Sequence, residues 1–107
     1  MTKPAALQLS AHEWQQLSAI LQRYLPDYAV WAFGSRVKGK AKPYSDLDLA
    51  IISAKPIPLA LLAEVAEAFS ESDLPWKVDL LDWATTSERF RQVIEQQKLE
   101  VKAGASG

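Results

Sequence analysis

Residues 34–50 read GSRVKGKAKPYSDLDLA, a Gly-Ser turn followed by two aspartates one residue apart. Upstream, Tyr28-Ala29-Val30-Trp31-Ala32-Phe33 is rich in aromatic and β-branched residues, which predicts a buried strand ending at Gly34. Gly34 has no β-carbon, so its backbone can approach a phosphate oxygen closely, and Ser35 offers both a hydroxyl and an amide to that oxygen. A helical turn over Ser35 to Lys38 would aim unpaired N–H groups at the same anion, with Gly39 ending the turn and Arg36 adding a guanidinium. Downstream, Ser45 to Ile52 reads as a second strand whose side chains alternate between faces. Asp46 and Asp48 then share the face that carries the turn, while Leu47 and Leu49 anchor the opposite one. Carboxylates so placed repel unless a divalent cation joins them, and hard oxygen donors beside phosphate favour magnesium over zinc. The stretch therefore reads as a seat for a nucleoside triphosphate on metal ions.

Outward from this centre, the pattern predicts an α/β (α+β) domain. Ser10-Ala11-His12-Glu13 is a capping-box sequence, followed by Trp14, Leu17, Ile20, Leu21 and Tyr24 at helical spacing up to Pro26. After a break at Ser53-Ala54-Lys55-Pro56, a second helix carries Leu61, Leu62, Val65 and Phe69 on one stripe. A third strand is expected over Trp76 to Leu81. A last helix, starting near Thr86 or Ser87, is expected to turn Phe90, Val93, Ile94, Leu99 and Val101 inward. Residues 10–102 form the expected core of a single domain spanning 1–107, with fraying ends.

The 107-residue chain has room for one core and no second module. It has no cysteine, which removes disulfides and thiolate zinc sites and makes the reducing cytoplasm the expected location. No apolar run suits a membrane span or a signal peptide. A net charge of −1 argues against broad nucleic-acid binding, although Arg36, Lys38, Lys40 and Lys42 concentrate positive charge between turn and carboxylates. That lysine series also suits a plain solvated loop. His12, the one histidine, reads as a surface helix residue, so histidine triads and multi-histidine metal sites are not expected. The tryptophans suit a core or a partner interface, and Tyr44 suits either turn packing or stacking on a base.

Gly34-Ser35, Arg36, Gly39, Ser45, Asp46, Asp48 and the apolar run Leu49 to Ile52, preceded by the strand Ala29 to Phe33, resemble the nucleotidyltransferases of the DNA polymerase β superfamily. The likeness is to the minimal, single-domain MNT branch. A Gly-Ser pair alone fits an ordinary turn, and Asp-x-Asp alone fits a solvated edge strand. Their order and spacing between two apolar strands is what makes the likeness specific.

The resemblance implies a polymerase β-like fold, a small mixed sheet flanked by helices, and a third carboxylate on a later strand. Of Asp79 and Asp82, Asp79 is preferred, because it lies mid-strand where a buried carboxylate needs a metal or partner. Asp82, at the strand end before Trp83-Ala84-Thr85-Thr86-Ser87-Glu88, can accept backbone N–H bonds instead. The implied site has Asp46, Asp48 and Asp79 as catalytic, metal-binding residues on two magnesium ions. Gly34, Ser35, Arg36 and Ser45 are the implied ATP-binding residues. The implied reaction is AMP transfer from ATP to a tyrosine of a HEPN-domain RNase toxin, making the chain an antitoxin in a hetero-oligomer. Neutralisation by contact alone, or transfer to a small hydroxyl compound, are the alternatives.

Overall fold

The computed structural model describes residues 2–39, 42 and 44–104. Ser10 opens helix α1 (Ala11–Tyr24) through the expected reciprocal cap: its hydroxyl accepts the Glu13 N–H at 3.1 Å, and the Glu13 carboxylate accepts the Ser10 N–H at 2.9 Å. Leu17 and Leu21 are fully buried from this helix, with Trp14, Ile20 and Tyr24 at the margin of the same cluster. Leu7, upstream of the expected core, is buried there too, so the packed structure begins before residue 10.

Strands β1 (Ala29–Phe33), β2 (Leu47–Ile52), β3 (Val78–Asp82) and β4 (Leu99–Lys102) form one sheet in the order β3-β2-β1-β4. β1 runs antiparallel to both β2 and β4, whereas β2 and β3 are parallel. A parallel pair needs a crossover, and helix α3 (Leu59–Ser70) supplies it. Val30, Ala32, Leu47, Leu49 and Ile51 face a core shared with Leu17 and Leu21 of α1 and Val65 and Phe69 of α3. Each such fully buried leucine contributes roughly 1.5–3 kcal/mol. On the other face, Phe33 and Ala50 bury Ile94 of helix α4 (Glu88–Gln97), with Trp31, Ile52, Leu81 and Trp83 around them. The result is the mixed α/β sheet flanked by helices that was expected.

Several features differ from the sequence reading. β2 starts at Leu47 rather than Ser45: pairing with the β3 side begins at the bond from Leu47 N–H to Lys77 O (2.9 Å), while Ser45 O is held by Arg36. β3 starts at Val78 because Trp76 leaves the ladder and packs into the core, beneath the Arg36 guanidinium 4.5 Å from its ring. Phe90 and Val93 remain 39% and 41% exposed and Ile94 is the buried residue of the helix capped by Ser87, although Phe90 does meet Phe33 of β1 edge-on with ring centres 5.9 Å apart. Leu99 and Val101 do not continue that helix. Lys98 is extended, and the alternation Leu99-Glu100-Val101-Lys102 pairs along the outer edge of β1 with Val101 buried and Glu100 exposed. A four-residue period-two segment directly after a helical stripe resembles its continuation, and the open edge of β1 makes it a strand. Lys102 closes the edge, its Nζ donating to Pro26 O, Tyr28 O and Ala103 O at 2.9–3.0 Å.

Candidate active site

At the end of β1 the chain turns sharply through Gly34, whose φ of 85° and ψ of −157° lie where a side chain is strained. Its carbonyl accepts the Val37 and Lys38 N–H groups, both at 3.1 Å, which starts the short helix α2 (Ser35–Lys38). Gly39 closes that turn as expected, with φ of 75° and its N–H donated to Ser35 O. Space decides the residue at 34 as firmly as torsion does. A β-carbon there would lie 3.3 Å from Asp48 Cγ and collide with Asp48 Oδ2. The turn and the carboxylate are thus in direct van der Waals contact.

Asp48 sits opposite Phe33 in the β1–β2 register and opposite Asp79 in the parallel β2–β3 register. Residues paired in this way project from the same face, so both carboxylates stand on the side that carries Phe33, Ala50 and Leu81. Asp46 precedes the strand and is exposed. Burial, then the charges of Asp79 and Asp46, push the Asp48 carboxyl above the ordinary carboxylate range. Asp79, its register partner, and Asp46, two residues away, are the acids whose charges bear on it. Among the described residues no three such side chains are gathered into a finished metal cage; they are neighbours whose charges repel. Hard oxygen donors with surplus negative charge suit magnesium, and Asp48, Asp79 and Asp46 are the residues available to hold it.

Asp82 has a different fate. Its Oδ1 accepts the Ala84 N–H at 3.1 Å and its Oδ2 accepts the Ile57 N–H at 2.9 Å, so it fastens the 3₁₀ turn Trp83–Thr85 and the lead into α3. Asp82 thus accepts backbone N–H bonds, as its strand-end position suggests.

Two residues assigned to the nucleotide are occupied elsewhere. Arg36 is only 4% exposed; its Nε donates to Ser45 O and its Nη1 to Gln8 O, each at 2.9 Å, and its Nη2 to Lys42 O at 3.4 Å. Stacked on Trp76, it ties the N-terminal segment to the loop before β2. A planar five-donor fork suits several carbonyls at once. Ser45 closes the same loop, its hydroxyl accepting the Lys42 N–H at 2.8 Å. By contrast, the Ser35 hydroxyl makes no hydrogen bond among the described residues and stands at the first position of α2 beside Gly34. Lys38 and Lys42 are exposed, as is His12, whereas Lys40 lies outside the described residues. Tyr44 is 77% exposed and so does not pack the turn.

One residue at this site escaped the sequence reading. Gln97, the last residue of α4, accepts the Gly34 N–H on Oε1 at 2.9 Å across 63 positions of chain. No local periodicity marks a contact of that separation.

Residues 15–103 match the model of the family described as nucleotidyltransferase domain. The chain belongs to that family. Over 96 residues it is 62% identical to the probable protein adenylyltransferase MntA of Haemophilus influenzae, covering 90% of this chain and 84% of the relative. Among solved structures, a toxin-antitoxin with AMP-PNP superposes with a TM-score of 0.71 at 23% identity, over 87% of this chain and 75% of that one. An MNT antitoxin complexed with the tri-AMPylated HEPN toxin of Shewanella oneidensis gives a TM-score of 0.65 at 23% identity, over 89% and 73%. These structural likenesses establish the nucleotidyltransferase fold. They agree with the mixed sheet flanked by helices.

Proposed function

We propose that this protein is an antitoxin that transfers AMP from ATP to a tyrosine hydroxyl of a HEPN-domain toxin, with magnesium as the metal. The observation that carries the reading is the contact of the Gly34 turn with Asp48, which is itself paired with Asp79, in a chain so similar to a probable protein adenylyltransferase. The family supplies nucleotidyl transfer, and the relative's name supplies adenylate and a protein acceptor. The toxin partner follows from the complexes with the same fold.

In this reading Gly34, lacking a β-carbon, lets the triphosphate approach the turn closely, and the Ser35 amide and hydroxyl hold the β and γ phosphates, which sets the α phosphorus beside Asp48 and Asp79. Asp48, Asp79 and Asp46 would hold magnesium, which when bound would supply charge neutralisation at the phosphates and a lowered pKa for the attacking hydroxyl. The acceptor oxygen forms its bond to the α phosphorus as the bond to the bridging oxygen breaks. Asp79 takes the hydroxyl proton, and pyrophosphate leaves. Excess negative charge around Asp48 acts against nucleotide binding without cations and in favour of it with them.

The test is incubation of the chain with ATP, magnesium and its cognate HEPN protein, followed by intact mass measurement. A gain of AMP units on the HEPN protein, lost in a Tyr→Phe acceptor variant, is expected. Stable complex formation with no gain in mass would leave an antitoxin that acts by contact alone, and would overturn the transferase reading.

A further inference from the structure

We propose that Gln97 is a positioning residue for nucleotide transfer: it acts through the Gly34 peptide, fixing the turn that receives the triphosphate. The proposal rests on the nucleotide-site reading above and adds a component from the other end of the chain.

Gly34 is the most permissive residue type at the most demanding place in the site. Its carbonyl is fixed by the start of α2, and its N–H is fixed by Gln97 Oε1 at 2.9 Å. Both peptide groups flanking this one α-carbon are therefore tied, which holds the unusual backbone angles and keeps the α-carbon against Asp48. Only the oxygen of the glutamine amide can accept an N–H, and the amide's own Nε2 donates back to Val93 O at 3.3 Å, which sets its orientation.

The end of α4 is itself anchored to β1. Lys98 places Nζ 3.6 Å from the centre of the Trp31 ring, and Leu99 pairs with Ala32 in the β1–β4 ladder. Gln97 thus reaches the turn from a support fixed to the same strand that delivers Gly34. Removing its oxygen leaves a part-buried N–H without a partner and frees the glycine to rotate, so Ser35 is no longer presented to phosphate in one direction.

The test compares wild type, Gln97→Met, which keeps length but has no acceptor, and Gln97→Glu, which keeps an acceptor oxygen. Amide exchange at Gly34 is read by NMR in the nucleotide-free chain, and KM for ATP and kcat are read in the toxin-labelling assay. Gly34 is expected to be protected in wild type and Gln97→Glu and to exchange at least about tenfold faster in Gln97→Met, with β2 amides unchanged. The same Met variant is expected to raise KM for ATP about tenfold, with kcat within about threefold. An unprotected Gly34 in wild type, or an unchanged KM in Gln97→Met, would overturn the proposal. Absence of any transfer by wild type would overturn the function above, and the exchange experiment would still judge the clamp.

Discussion

The carboxylate of Asp48 occupies the space that a β-carbon on residue 34 would need. A glycine turn and a partly buried acid are therefore packed against each other, and in the proposed function they would set anion and metal at adjoining positions. Gly34→Ala tests this contact. The substitution both collides with Asp48 and imposes a positive φ on alanine, so a loss of about 1–3 kcal/mol in denaturant unfolding is expected together with loss of nucleotide transfer. Full activity in this variant would mean that the turn and carboxylate do not work as a unit.

Asp48→Asn is expected to stabilise the metal-free protein while abolishing transfer. Burial and the charges of Asp79 and Asp46 raise the folded-state pKa of Asp48 above its unfolded value. The folded chain accordingly binds that proton more tightly, and its stability from this group is full in acid and lost as pH rises through the folded pKa. Denaturant midpoints at acidic pH should coincide for wild type and variant. At neutral pH the asparagine variant should be the more stable of the two, by a margin that solvent screening keeps small. A variant less stable than wild type at pH 7 would contradict the repulsion.

Much of this was legible in the sequence, and the reasons differ from residue to residue. The Ser10–Glu13 cap, the β1 strand, the Gly34 and Gly39 turn and the facing of Leu47 and Leu49 are local properties, set by side-chain size, periodicity and torsion. Asp79 was separable from Asp82 because a strand-end acid has backbone N–H groups to accept, as the Ala84 and Ile57 bonds show. What escaped depends on distant partners. Arg36 looked like a phosphate ligand by its place beside Ser35, but its partners are Gln8, Ser45 and Trp76, brought together by the fold. Strand β4 and the Gln97 bond likewise exist only because an edge of β1 stands open to receive them.

Arg36→Met is expected to cost stability rather than nucleotide affinity. It removes a buried guanidinium whose donors serve the Gln8 and Ser45 carbonyls, so unfolding should be easier by about 2–4 kcal/mol. Arg36→Lys should restore only part of the loss, because one ammonium cannot reproduce the fork and its stacking on Trp76. Unchanged stability with a large rise in KM for ATP would return Arg36 to the phosphate.

The pairing of Asp48 with Asp79 is the centre of the account, and calorimetry of ATP binding tests it most directly. Titration of the wild-type chain with ATP should give saturable heat with magnesium and little without it, and Asp48→Asn and Asp79→Asn should each remove the magnesium dependence. Equal binding with and without magnesium in wild type, or magnesium-dependent binding retained in both variants, would contradict a cation site built on these two carboxylates.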